Sequence, residues 1–347
     1  MQTKVAANAQ AMKRWLDKAE TTVANHSDRL NAINIFPVAD GDTGTNLYLT
    51  VRAAARAVHR RPADPSVAGL SEACQVDVGA VLAHAGRAAM EQARGNSGTL
   101  FSVFLCAAAE PLAGHTRLTS ALLAAALNRA QIRAWSALSD PVPGTMLSVM
   151  EAAARAAAAV DAGHAGDDSN HALCVALDAA VSGALDAVVS TENQLAALEA
   201  AHVVDAGGVG MLLILDCLRS AILGEELQGE LFDGLHGYDV QDPHIHTDMP
   251  DDDGVEVMCT ISLSPLSAAT LRQRLDEIGE SVIMSQVDSM ADAEGSYRWR
   301  VHVHVPDAAP AVALIRSLGE PSDISVSELA LARDPEPAPV NSSGHER

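Results

Sequence analysis

Aromatic residues make up only 3% of this 347-residue chain, and 23 Lys and Arg face 45 Asp and Glu, for a net charge of −22. A core with so few rings must be built from Ala, Leu and Val, which dominate the 48% hydrophobic content. A surface this acidic repels nucleic acid and anionic lipid, so neither is expected as a partner. A polyanionic ligand would have to arrive with a cation. The N-terminus, MQTKVAANAQAMKRWLDK, has no apolar core and no cleavage motif, and does not read as a signal peptide. No run of about 18 apolar residues is free of charges, so no membrane span is expected. The five cysteines, Cys74, Cys106, Cys174, Cys217 and Cys259, are odd in number, scattered, and mostly inside apolar helical runs. They read as reduced thiols of a cytoplasmic protein. The GxxxxGK[ST] phosphate loop and the protein-kinase signature set are also absent.

What is present divides the chain. Residues 1–235 show apolar residues at three- and four-residue spacing in Ala-rich stretches, broken by short turns such as GNSG, SDPVPG and DAGG. That pattern predicts an all-α domain, a barrel or bundle of about eight helices with a polar rim of turns. Residues 236–254 are acidic and Pro-bearing and read as a linker, in which His244 and His246 are expected to be solvated. From 255 to 333 the order strand, helix, strand, strand, helix, strand predicts a small α+β domain of ferredoxin-like, βαββαβ arrangement. The tail, 334–347, is rich in Pro, Ser and charge and is expected to be disordered.

The chain is organised around NAINIFPVADGDTGTNLYLTV, residues 31–51, where Asp40 and Asp42 stand one residue apart ahead of a helix. As a calcium EF-hand loop begun at Asp40 it fails, because Thr45 and Val51 stand where Gly and Glu are required. As a simple solvated helix cap it is disfavoured by the apolar lead-in Ile33–Val38, which plants both acids at a buried edge. Two inward carboxylates repel each other unless a cation lies between them, which assigns Asp40 and Asp42 to Mg²⁺. Three later turns, Arg94–Gly98, Asp140–Met146 and Val204–Gly208, each precede a helix. With the acid turn they offer four helix N-termini to one polyphosphate.

The stretch NIFPVADGDTGTN resembles the signature of the dihydroxyacetone-kinase L-domain family, and in particular the ATP-binding subunit of bacterial fatty-acid kinase. Arg94-Gly95-Asn96-Ser97-Gly98 resembles that family's R-G-N-S-G. Asp140-Pro-Val-Pro-Gly-Thr-Met146 resembles its P-V-E-G-T, with Pro143 in place of the acid and Gly144, Thr145 and Met146 retained. Val204-Asp205-Ala206-Gly207-Gly208 matches its V-D-A-G-G. The resemblance implies ATP with a pair of magnesium ions, Asn34 being the candidate third ligand beside Asp40 and Asp42. It implies nucleotide contacts from Thr43, Gly44, Thr45 and Asn46, and from Gly95, Asn96, Ser97 and Gly98. Gly144, Thr145 and Met146, and Asp205, Ala206 and Gly207, complete that set.

In the second domain His302 and His304 lie two apart on one strand and so share a face. If Cys259 on the neighbouring first strand meets them, the three suit zinc. By pattern alone the alternation reads more readily as the polar side of an exposed strand. The family matches at Cys259-Thr260 and at Val301-His302-Val303-His304, and the resemblance implies zinc.

By the resemblance, the chain is expected to phosphorylate a fatty acid presented by a DegV-type binding protein. A carboxylate acceptor is already ionised at neutral pH, which agrees with the lack of a general base in the four motifs. The family usually continues with a further domain that docks this partner, and the sequence read here does not include it. The alternatives are a dihydroxyacetone-type kinase and a nucleotide-sensing module without turnover. A homodimer is a further expectation.

Overall fold

The computed structural model describes residues 5–59, 76–238, 254–288 and 290–329. His244, His246, Cys74 and the tail lie outside them, as does most of the expected linker. Among the described residues, eight long helices and a short one precede the sheet: α1 (Ala9–Ala32), α2 (Thr43–Ala57), α3 (Val78–Gln92), α4 (Gly95–Ala109), α5 (Ser120–Ala137), α6 (Met146–Gly163), α7 (Asn170–Thr191), the short α8 (Ala196–Ala201) and α9 (Ala206–Leu223).

Small Ala side chains let these helices approach closely. α1 packs on α2 and α9, α2 on α3 and α4, α4 on α3 and α5, α5 on α6, α6 on α7, and α7 on α9. That closes a ring. Every residue of α9 is buried. Trp15, one of the few large rings, locks α1 to it by donating Nε1 to the Ile214 carbonyl at 2.9 Å. α7 and α9 are each long and apolar enough to cross a membrane by length and composition, which the sequence reading did not anticipate. In α9, however, 94% of that apolar window is enclosed by the fold, and Asp216 and Arg219 are carried inside with it.

The second region comprises β1 (Val255–Leu263), α10 (Pro265–Asp276), β2 (Glu280–Gln286), β3 (Tyr297–Val305), α11 (Ala308–Leu318) and β4 (Pro321–Glu328). Its strands lie in the order β2-β3-β1-β4, all neighbours antiparallel. This is the expected βαββαβ arrangement. Val257, Cys259, Ile261 and Leu263 of β1 join Val301, Val303 and Val305 of β3 in a core with Leu271 and Leu275 of α10 and Ile315 of α11. The other face carries Glu256, Met258, Thr260, Arg300, His302 and His304, all of them buried.

That second face is covered by the helical ring. Arg300, 5% exposed, reaches across to the Ala93 carbonyl at 3.3 Å. Arg272 donates to the carbonyls of Ser136 and Ala137 at the end of α5, at 3.1 and 2.8 Å. Ser139 N–H donates to Val282 O at 3.0 Å, and Leu138 bridges Ile283 in antiparallel register. Each tie lands beside a turn that lines the site described next.

Candidate nucleotide and metal site

After α1 the chain runs inward through Ile33 and Ile35, both essentially buried, and crosses a cis Phe36–Pro37 bond. It turns at Gly41, whose φ of 65° is open to glycine, and enters α2 at Thr43. Asp42 stands at the N-cap position yet makes no capping bond with its side chain. Asn31 of α1 does that work instead. Its Oδ1 accepts from the N–H groups of Gly44 and Thr45 at 2.8 and 3.1 Å. The Asp42 carboxylate is thereby left free of the capping duty that its sequence position suggests. Asn34, 2% exposed, donates Nδ2 to Asp40 Oδ1 at 2.6 Å and accepts from the Thr43 hydroxyl at 2.8 Å. It braces both ends of the turn.

Burial, and then the charge of Asp42, push Asp40 up to about 8. Burial also raises Asp42, and Glu256 adds to the effect. Asp40 and Asp42 line a small pocket of about 40 Å³ with Asn34, Thr43, Gly95, Asn96, Ser97, Glu256 and His304. Through Pro37, Thr43, Asn96 and Ser97 it adjoins a cleft of about 710 Å³. No Lys or Arg lines either one, among the described residues. Two close, half-buried carboxylates without a cationic side chain form an oxygen donor set that fits a hard divalent cation such as Mg²⁺.

Four helix starts line the cleft: Thr43 for α2, Asn96 and Ser97 for α4, Met146 and Leu147 for α6, and Gly207 for α9. Thr145 and Asp205, which also line it, cap the last two helices. Phe36, Leu100, Leu138, Val142 and Val282 make its walls apolar. Asp205 is buried to 5% exposure and accepts from Gly208 N–H at 2.6 Å and from the Met146 backbone. It therefore ties the starts of α9 and α6 together, and burial pushes it up to about 7.

Gly44, Thr45, Asn46, Gly98, Gly144 and Ala206 line neither the pocket nor the cleft. Two of these glycines let helices touch. A Cβ on Gly44 would meet Ser27 O at 2.2 Å, and one on Gly98 would meet Thr50 Oγ1 at 2.3 Å. The signature thus mixes lining residues with packing residues.

The Cys259, His302 and His304 set does not assemble. Cys259 pairs across the ladder with Val301 and points into the apolar core under α10 and α11, whereas both histidines occupy the other face. Alternation along β1 decides this, since residues an odd number apart face opposite ways. Glu256, opposite His304 in the register, is the residue that joins the histidines, and the sequence reading missed it. The signal was there: in VEVMCTISL the odd positions 257–263 are all apolar, which places Cys259 inside.

Two family profiles agree with this organisation. The DAK2 domain profile matches residues 37–220, and the profile of the FakA-like middle domain of fatty acid kinase matches residues 254–334. Two uncharacterized proteins of Staphylococcus aureus, from strains USA300 and COL, are each 26% identical over 291 residues, which is 81% of this chain and 48% of theirs. The chain spans about half the length of these curated relatives. Among solved structures, the dihydroxyacetone kinase from C. freundii in complex with AMP-PNP and Mg²⁺ is similar at 21% identity and a TM-score of 0.40, over 62% of this chain and 34% of that one.

Proposed function

This chain belongs to the DAK2 domain family, and on that premise we propose that it is the ATP- and Mg²⁺-dependent subunit of a fatty-acid kinase, acting on an acyl chain delivered by a DegV-type binding protein. One observation carries the reading: a half-buried carboxylate pair adjoins a cleft walled by four helix starts and, among the described residues, lined by no Lys or Arg. A triphosphate entering such a cleft meets positive potential from helix N-termini and from a bound cation.

Asp40 and Asp42 would hold the magnesium, with Asn34 bracing Asp40 for the task. Bound there, magnesium supplies charge neutralisation for the β- and γ-phosphate oxygens. The chain's own residues align the reactants, which is most of what phosphoryl transfer asks of a protein. Asn96, Ser97 and Thr43 offer polar groups at the phosphate end, and Met146 with Val142 offers an apolar wall suited to a purine. A fatty-acid carboxylate is ionised at neutral pH. Its oxygen attacks the γ-phosphorus as the bond to the β,γ-bridging oxygen breaks, giving an acyl phosphate and ADP. No proton has to be removed, so no base is demanded of the cleft.

The test is nucleotide binding followed by ADP release. Asp42→Ala should abolish Mg²⁺-dependent ATP binding, measured by calorimetry, while the helical circular dichroism stays unchanged. Unaltered affinity would remove Asp42 from the site. ADP formation with fatty acid plus carrier supports the proposal. Turnover with dihydroxyacetone alone, or binding without turnover under either condition, would replace it.

A further inference from the structure

Among the described residues four aspartates stand at helix N-caps, and three of them behave alike. Asp77 before α3, Asp205 before α9 and Asp307 before α11 have extended backbones, with ψ of 117°, 123° and 128°. Each carboxylate accepts from an N–H two or three residues on, those of Ala80, Gly208 and Ala309, at 3.0, 2.6 and 2.9 Å. Asp42 before α2 is the exception. Its ψ is −5° and its side chain caps nothing. Aspartate is among the strongest N-capping residues, so its failure to cap needs a cause. The N–H groups that such a cap would take are those of Gly44 and Thr45, and both already donate to Asn31 Oδ1. The Asn31 amide is itself fixed, since its Nδ2 donates to Thr45 Oγ1 at 2.9 Å. Gly44 makes the reach possible: a Cβ there would lie 2.8 Å from Leu30 Cβ and 2.9 Å from Asn31 Oδ1.

We infer that Asn31 is the positioning residue of the acid turn: by occupying the two N–H groups that Asp42 would otherwise cap, it keeps Asp42 available as a ligand beside Asp40. The inference rests on reading those two acids as a cation's ligands. Asn31 and Asp42 compete for one pair of donors, so capping α2 and holding a cation are alternatives for the Asp42 carboxylate. To cap its own helix, Asp42 would swing ψ from −5° into the extended range of its three counterparts. That rotation commits the carboxylate to the start of α2 and breaks up the pair. A residue from the neighbouring helix thus decides which of two jobs an acid in the turn performs.

The competition is read in a double-mutant cycle on the full chain, by urea denaturation in a chelator with no nucleotide present. In the parent background Asp42→Ala removes one of two like charges and no cap, so the urea midpoint should hold or rise. In Asn31→Ala the cap should pass to Asp42, and there Asp42→Ala should lower the midpoint. A merely structural asparagine would not give that reversal of sign. Mg²⁺-dependent ATP binding, followed by calorimetry, should fall about tenfold or more in Asn31→Ala. It should return in Asn31→Asp, which keeps the accepting oxygen. Additive effects in the cycle, or unchanged binding in Asn31→Ala, would overturn the assignment. So would an Asn31→Ala chain that does not fold, since the takeover by Asp42 keeps α2 capped. A parent that binds ATP equally well without Mg²⁺ would sink the reading of the acids and this inference with it. A Mg²⁺-dependent parent with an additive cycle would sink this inference alone.

Discussion

Asp40 and Glu256 face one small pocket from opposite walls, one on a turn of the helical ring and one on the sheet. Glu256 is buried and Asp40 half-buried, and burial alone would raise both. Asp40 does rise, to about 8, with burial the larger cause and the neighbouring acid Asp42 the second. Burial pushes against Glu256 as well, yet the hydrogen bond and charge of His302 hold it down to about 2. The difference lies in the partner, not the depth. The turn sets two acids side by side and wants a cation, whereas the sheet gives its acid an imidazole partner at 2.8 Å. The same pairing of burial with a neighbouring ring holds His304 down to about 3, with burial the larger cause and His302 the second.

Changing acid to amide on each wall should therefore act with opposite sign. Glu256→Gln removes a charge-assisted bond from a buried imidazole, so without metal at pH 7 it should destabilise the fold by about 1.5–3 kcal/mol. Urea denaturation measures this, and a neutral or stabilising result would erase the contrast. The parent's dependence on Glu256 runs downward in pH. A depressed carboxylate contributes stability above its unfolded value of 4.5, and that contribution fades as pH falls toward 2.

Asp40→Asn is the mirror. Asn keeps an oxygen to accept from Asn34 while removing one of two like charges. In a chelator at pH 8 it should stabilise the fold by on the order of 1–2 kcal/mol. The sign follows from linkage. A carboxyl raised in the folded state favours folding most below its unfolded value of 3.8, and that contribution is lost as pH climbs through about 8. The metal-free parent should thus weaken over that window, Asp40→Asn should weaken less, and excess Mg²⁺ should flatten the parent's profile. A parent whose profile ignores Mg²⁺ would show that the carboxylate pair takes no cation.

These walls were unequally legible in the sequence. The acid turn announced itself because its physics is local: Asp40, Asp42 and the apolar lead-in from Ile33 lie within ten residues. The helical ring and the βαββαβ order follow from periodicity, which survives without tertiary knowledge. Glu256 did not announce itself, since it needs the β1–β3 register and the decision about which sheet face meets the ring. Likewise Asn31 caps α2 from a neighbouring helix, and Gly44 and Gly98 serve close packing, facts that only the assembled ring reveals. The assignment of Cys259 to the histidines failed on strand parity, a rule that apolar Val257, Ile261 and Leu263 could have supplied.

The smallest effect is the most discriminating for the sheet wall. Ser327 on β4 donates to Glu256 Oε2 at 3.2 Å, a long bond beside the 2.8 Å contact with His302. If the imidazole is the main partner of Glu256, Ser327→Ala should cost only about 0.5–1 kcal/mol, the net worth of an ordinary hydrogen bond. Should Ser327→Ala match Glu256→Gln in its loss of stability, the wall would depend on the β4 strap and not on the acid–imidazole pair. The contrast between the two walls would then rest on strand docking, and the partner's charge would no longer explain it.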